Sequence, residues 1–184
     1  MTAIEKLEAR VDRLETRTAI EELATNYAVA CDEHDISKLQ NLFTEDAVFK
    51  SPSSFLHSTG REAITTMFIE VLKTRGPGYH WTHDLIVEFD DDPDTARGTV
   101  YSHAETTPAG VVSIAAMKYK DKYRRESGVW YFSERELHFF YYVPINEYVD
   151  TLNQEDRLTV GGDKRPADFP ESSPSWKDFD KTYN

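Results

Sequence analysis

The amino-acid sequence predicts an α+β domain in which N-terminal helices pack on the concave face of a curved, cone-shaped sheet and enclose an apolar cavity. Two observations carry this. Apolar residues recur at spacings of three and four through the first half of the chain, and from residue 80 onward they alternate instead. Helices followed by a run of antiparallel strands is the pattern of a sheet covered on one side, and such a sheet curls into a cone with a mouth.

Ile4, Leu7, Val11 and Leu14 stand three and four apart among charged residues, the pattern of a surface helix with one apolar seam. That seam is too short for a coiled coil and suits packing on its own domain or on a neighbouring subunit. Thr18 and Glu21 then read as a capping box that starts a second helix, with Ile20, Leu23, Ala24, Tyr27 and Cys31 on its apolar face. Asp32 falls just beyond Ala28 at the edge of that stripe, so its carboxylate looks toward the core margin. Asp35 caps a further helix through Leu39, Leu42 and Phe43, and ThrGluAspAlaValPhe reads as a turn into a strand. Thr59 and Glu62 form another capping box before Ile64, Met67, Phe68, Val71 and Leu72.

In the second half, Leu85, Val87 and Phe89 share one parity and AspAspAspProAsp makes a turn. Residues 99–105, 111–124 and 129–142 are rich in β-branched and aromatic residues, and the last two runs are joined by ArgArgGluSerGly, a hairpin signal. After Asp150 periodicity fades and Pro166, Pro170 and Pro174 appear, yet Phe169, Trp176, Phe179 and Tyr183 are too many aromatics for a solvating tail. The expected organisation is an N-terminal helical extension over 1–17, a core domain over 18–149, and a tail over 150–184 that wraps the subunit or closes the cavity mouth.

Composition narrows the function. With 184 residues the chain has enough core to fold as one domain. Lys and Arg number 21 against 33 Asp and Glu, a net charge of −12, which argues against a phosphate-binding surface and so against nucleic acid. The lone Cys31 excludes a disulfide framework and a cysteine-rich metal site, which makes the cytoplasm the simplest compartment. The N-terminus has no apolar run of signal or membrane length. No histidine and carboxylate cluster makes a metal site and no glycine-rich phosphate loop is present, so no cofactor is implied.

The segment AlaIleGluGluLeuAlaThrAsnTyrAlaValAlaCysAspGluHisAsp resembles the opening of SnoaL-like proteins in the nuclear transport factor two-like superfamily. ThrHisAspLeuIleValGluPhe, AspThrAlaArgGlyThrValTyr and SerGlyValTrpTyrPheSerGluArg are similar to that family's sheet. The resemblance spans roughly residues 16–145. It implies that Tyr27, Asp32 and His83 occupy the places of the catalytic tyrosine, aspartate and histidine of the family's dehydratases, bile acid 7α-dehydratase and scytalone dehydratase. His103 lies in the strand where those enzymes carry a further acid or histidine. It also implies a homo-oligomer, a trimer ahead of a dimer.

On this reading Asp32 orients His83, His83 takes a proton from carbon, Tyr27 donates to the developing oxyanion or the departing hydroxyl, and His103 protonates that hydroxyl. Arg135 shares parity with Leu137, Phe139 and Tyr141 and makes either a salt bridge or a contact to a substrate anion. Phe68, Met117, Tyr119 and Phe139, with Met67 and Phe89, suit the wall of a cavity for a small apolar cyclic molecule. His34, His57, His80 and His138 have no spacing that singles them out. The expected activity is cofactor-free dehydration of a hydroxylated cyclic ketone, steroid-like or polyketide-like compound. Double-bond isomerisation, polyketide cyclisation and simple ligand binding remain as alternatives, because one cone hosts many chemistries.

Overall fold

The computed structural model describes residues 2–183. One helix, α1 (Ala3–Asp32), runs unbroken through the position where the sequence suggested a second start. Its capping box is Thr2 with Glu5, and Thr18 lies inside the helix. The residues of the expected extension and the domain helix are therefore one rod. Its buried residues fall between Thr16 and Cys31; just before them Asp12 pairs with Arg125 of the sheet and Arg13 lies over Phe89, and the turns ahead of Asp12 are exposed.

Asp35 caps α2 (Ile36–Gln40) as expected, its Oδ1 accepting the Lys38 N–H at 2.8 Å, but that helix is shorter than the apolar pattern suggested. Phe43 instead opens strand β1 (Phe43–Ser51), where it is fully buried. A short β2 (Leu56–Thr59) follows, then α3 (Arg61–Lys73), which has Gly60 at its N-cap and no side-chain cap from Thr59. The four long strands are β3 (Tyr79–Phe89), β4 (Thr95–Thr106), β5 (Ser113–Glu126) and β6 (Val129–Pro144).

The strand order is β2-β1-β6-β5-β4-β3, antiparallel except where β1 lies parallel to β6, so the sheet is mixed. Ser127 and Gly128 join β5 to β6 with φ of 51° and 84°, the positive pair that a tight two-residue hairpin with matching twist requires. Gly98 in β4 has a different reason: a Cβ there would meet the Tyr123 ring and the Ile86 carbonyl at 2.9 Å. Its absence lets Tyr123 lie across β4 and donate its hydroxyl to Asp121 at 2.9 Å. The core, including Ile20, Tyr27, Phe43, Phe49, Phe68 and Phe132, fills the space between α1, α3 and the concave sheet face.

After β6 the chain passes through a short α4 (Tyr148–Thr151), then β7 (Leu158–Val160), β8 (Asp163–Arg165) and α5 (Pro174–Tyr183). β7 pairs with β6 at Tyr142, and Leu158 is fully buried, so the first part of the tail is sheet. The aromatics expected to close the mouth do not do so. Phe169 lies on the convex face, under Lys118 and Lys120 and beside His138, while Trp176, Phe179 and Tyr183 on α5 face solvent.

Candidate active site

Asp32 ends α1 with its carboxylate aimed at the first turn of β3, as the edge position on the helix requires. Its partner is His80. Oδ2 accepts the His80 backbone N–H at 2.9 Å, and Oδ1 lies 2.6 Å from His80 Nδ1. One carboxylate thus holds a histidine by both main chain and ring, which fixes the ring's orientation. A neutral imidazole that gives its Nδ1 proton to Asp32 keeps its lone pair on Nε2, and Nε2 has no hydrogen-bond partner among the described residues. His80 lines an apolar cavity of about 60 Å³; Asp32 stands behind it.

The expected pairing of Asp32 with His83 is therefore corrected. β3 and β4 shift register between Thr82 and Leu85, where two residues, His83 and Asp84, stand against the single Tyr101. This bulge reverses the side-chain alternation. His80 and Thr82 face the cavity side, Leu85 and Val87 also face inward, and His83 is turned to the convex face. There its Nε2 lies 2.8 Å from Nδ1 of His103. His103 stands on the outward row of β4 with Arg97, Thr99, Tyr101 and Glu105, while Ser102, Ala104 and Thr106 point in. Burial, then the neighbouring His83 charge, lowers the His103 pKa. Neither histidine reaches the cavity, so the general-acid role assigned to His103 has no geometric basis.

Tyr27 lines the cavity, ringed edge-on by Phe43, Phe68, Tyr119 and Phe132. Burial first, and its hydrogen bond to Cys31, hold its hydroxyl protonated well above the usual phenol range. It is a hydrogen-bond donor and not a base. Phe68, Met117, Tyr119 and Phe139 line the same cavity. Burial likewise pushes Tyr119 up to about 12. Phe89 lies outside, beneath Arg13 and Arg17.

Arg135 points inward but lies beneath the cavity and does not line it. It is 1% exposed, with its guanidinium 4.0 Å from the Tyr27 ring centre and 3.9 Å from that of Tyr119. Its Nε faces Asp121 Oδ1 at 3.6 Å, so of the two readings offered for it the salt bridge is the one formed. Burial raises Asp121 to about 6, against the pull of Arg135. Arg135 thus supports the rings of Tyr27 and Tyr119 from below.

Three features escaped the sequence reading. His80 is one; its even numbering, shared with Thr82, conflicts with the odd parity of Leu85 and Val87, and only a bulge reconciles the two. Thr106 and Tyr142 are the second: their hydroxyls meet at 2.8 Å on the cavity wall. Arg75 is the third, just beyond α3. The inner cavity opens past Arg75, Leu137 and Tyr142 into a groove of about 910 Å³, whose far wall includes Thr159 to Gly162 of the β7–β8 hairpin. Among the described residues no group of three or more His, Cys, Asp and Glu is placed to hold a metal.

This architecture recurs in known proteins. Gamma-hexachlorocyclohexane dehydrochlorinase of Sphingobium indicum is 26% identical over 144 residues, covering 73% of this chain and 87% of the relative. A crystal structure of a type 2 hexachlorocyclohexane dehydrochlorinase superposes with a TM-score of 0.69 at 23% identity, covering 74% of this chain and 93% of that one. A scytalone dehydratase-like protein of Novosphingobium aromaticivorans superposes with a TM-score of 0.68 at 20% identity, covering 73% and 91%. Residues 12–136 match the family model described as the SnoaL-like domain, more than half of the chain. The chain belongs to the SnoaL-like domain family.

Proposed function

We propose that the protein is a lyase that removes a proton from carbon and expels a β leaving group, with His80 as the base. The observation that carries this reading is the Asp32–His80 contact at the cavity wall, which leaves Nε2 unpartnered toward an apolar space. Nε2 takes the proton, the C–H electron pair forms the new double bond, and the leaving group departs with its own pair. Asp32 stabilises the imidazolium that forms. Tyr27, held protonated, donates a hydrogen bond to the oxygen on which charge develops, and the Thr106–Tyr142 hydroxyl pair offers a second donor.

With His103 turned away, a departing hydroxyl needs another proton source. The imidazolium itself serves: it returns the proton it took, water leaves, and His80 is neutral again. On this reading the protein dehydrates a hydroxylated cyclic ketone, with the reacting ring in the inner cavity and a larger steroid-like or polyketide-like body in the groove. The relatives' names favour a second reading, elimination of hydrogen chloride from a chlorinated ring, because chloride leaves without a proton. On this reading Tyr27 is the donor, Asp32 orients His80 where His83 was expected, and His80 takes the base role expected of His83.

The test is product mass. Purified protein is incubated with hydroxylated cyclic ketones and with chlorinated cyclohexanes, and products are read by mass spectrometry. Loss of water or of hydrogen chloride, absent in His80→Ala, supports the reading and separates its two forms. Unchanged mass with a new absorbance would assign isomerisation, and intact ligand throughout would assign binding alone.

A further inference from the structure

Arg75 is the one Arg or Lys among the residues lining either the inner cavity or the groove outside it, and it lines both. It therefore stands at the neck between them. Its guanidinium makes no hydrogen bond and no ion pair with any described residue, whereas the one carboxylate on the groove wall, Glu147, is engaged by Lys164 at 2.9 Å. The charge of Arg75 is felt inside: after burial, which pushes Cys31 and Tyr119 each up to about 12, it is among the groups that oppose that rise. A cation just past the end of α3 also complements the helix dipole. That interaction needs no hydrogen bond, and the guanidinium makes none to the last carbonyls of the helix, so it occupies none of the donors of Arg75.

An unpaired guanidinium at the mouth of an apolar cavity, in a chain of net charge −12, is poised for an anion that enters with an apolar body. Its planar fork matches a carboxylate through two parallel hydrogen bonds. Building on the lyase reading, we infer that the substrate is a carboxylated cyclic compound, held with its carboxylate on Arg75 at the neck and its ring inward against His80 and Tyr27. Arg75 is a specificity residue for this site. It sets which end of the substrate enters first and leaves the proton transfer to His80.

The experiment compares two probes of one shape, cyclohex-1-ene-1-carboxylate and its carboxamide, by isothermal titration calorimetry. The native protein should bind the carboxylate roughly tenfold more tightly, the usual advantage of a charged over a neutral hydrogen-bonded pair. Arg75→Gln should erase that preference while leaving carboxamide affinity unchanged, which also reports that the variant is folded. Arg75→Lys should keep part of it. Equal affinity in the native protein, a preference that survives Arg75→Gln, or no binding of either probe at millimolar concentration overturns the inference. Loss of carboxylate binding to chloride, but not to sulfate of matched ionic strength, would assign Arg75 to a released halide and also overturn it. Because the readout is binding, His80→Ala should keep the preference. Turnover of neutral substrates alone would uphold the lyase and sink the carboxylate.

Discussion

Asp32 reaches His80 because two side chains meet across 48 residues at the ends of a helix and a strand, and their coupling is measurable. Asp32→Asn and His80→Ala should each lower kcat/KM by about 10²–10⁴, and the double variant should lose little more than the worse single one. Fully additive losses would mean that the two act separately. His83→Ala supplies the contrast, since its ring sits on the convex face against His103; its turnover should stay within a few-fold of the parent. Helical periodicity placed Tyr27 on the inward face of α1 and Asp32 at its edge, while their candidacy for the site came from the family resemblance. His80 was not legible in the sequence, because strand parity holds only between bulges, and the bulge at His83 and Asp84 depends on pairing with Tyr101, a partner that local sequence does not specify.

Among the elements, the tail after β6 is tied down by single polar residues. Asp168 accepts the Ser53 hydroxyl at 2.7 Å and the Phe139 N–H at 2.8 Å, and faces His138. Burial alone would raise this carboxyl, but the facing His138 and the hydrogen bonds from Phe139 and Ser53 outweigh it and hold its pKa below the ordinary 3.8. A depressed carboxylate stabilises the folded state above its unfolded pKa, and that stability is lost as the pH falls through the lower folded value. The segment around Asp168 should therefore loosen below about pH 3.8 and not before. Hydrogen exchange across residues 163–173, followed from pH 6 down to 3, should show protection lost only at the acid end; loss by pH 5 would assign the anchoring to other contacts. Loop-like composition hid this order, since three prolines and short strands carry no periodicity, and anchoring by Arg157 and Asp168 depends on distant backbone atoms.

For the whole molecule, what remains uncovered is as informative as what is packed. Ile4, Leu7, Val11 and Leu14 are 70%, 57%, 43% and 66% exposed along one seam of α1, and α5 adds Trp176, Phe179 and Tyr183. Exposed apolar residues of this kind seek burial, which supports the expectation of a homo-oligomer, and the family resemblance alone puts a trimer ahead of a dimer; light scattering at micromolar concentration that finds only 21.2 kDa would end that expectation. The tail then divides into two parts with opposite consequences. Removing α5 alone, by ending the chain at Ser173, deletes no buried residue among those described and should leave Tm unchanged in the isolated subunit, with any loss confined to assembly. Ending it at Asp150 also removes Leu158, fully buried against β6, and Arg157, which holds the carbonyls of Phe140 and Phe169. Burying one leucine is worth about 2 kcal/mol, so this truncation should lower Tm by several degrees or more. It also removes the Thr159–Gly162 wall of the groove, so any domain that still folds should bind ligands more weakly and admit water to the cavity. A protein ending at Asp150 that melts and turns over as the parent does would show that the β7–β8 hairpin neither supports the sheet nor closes the site.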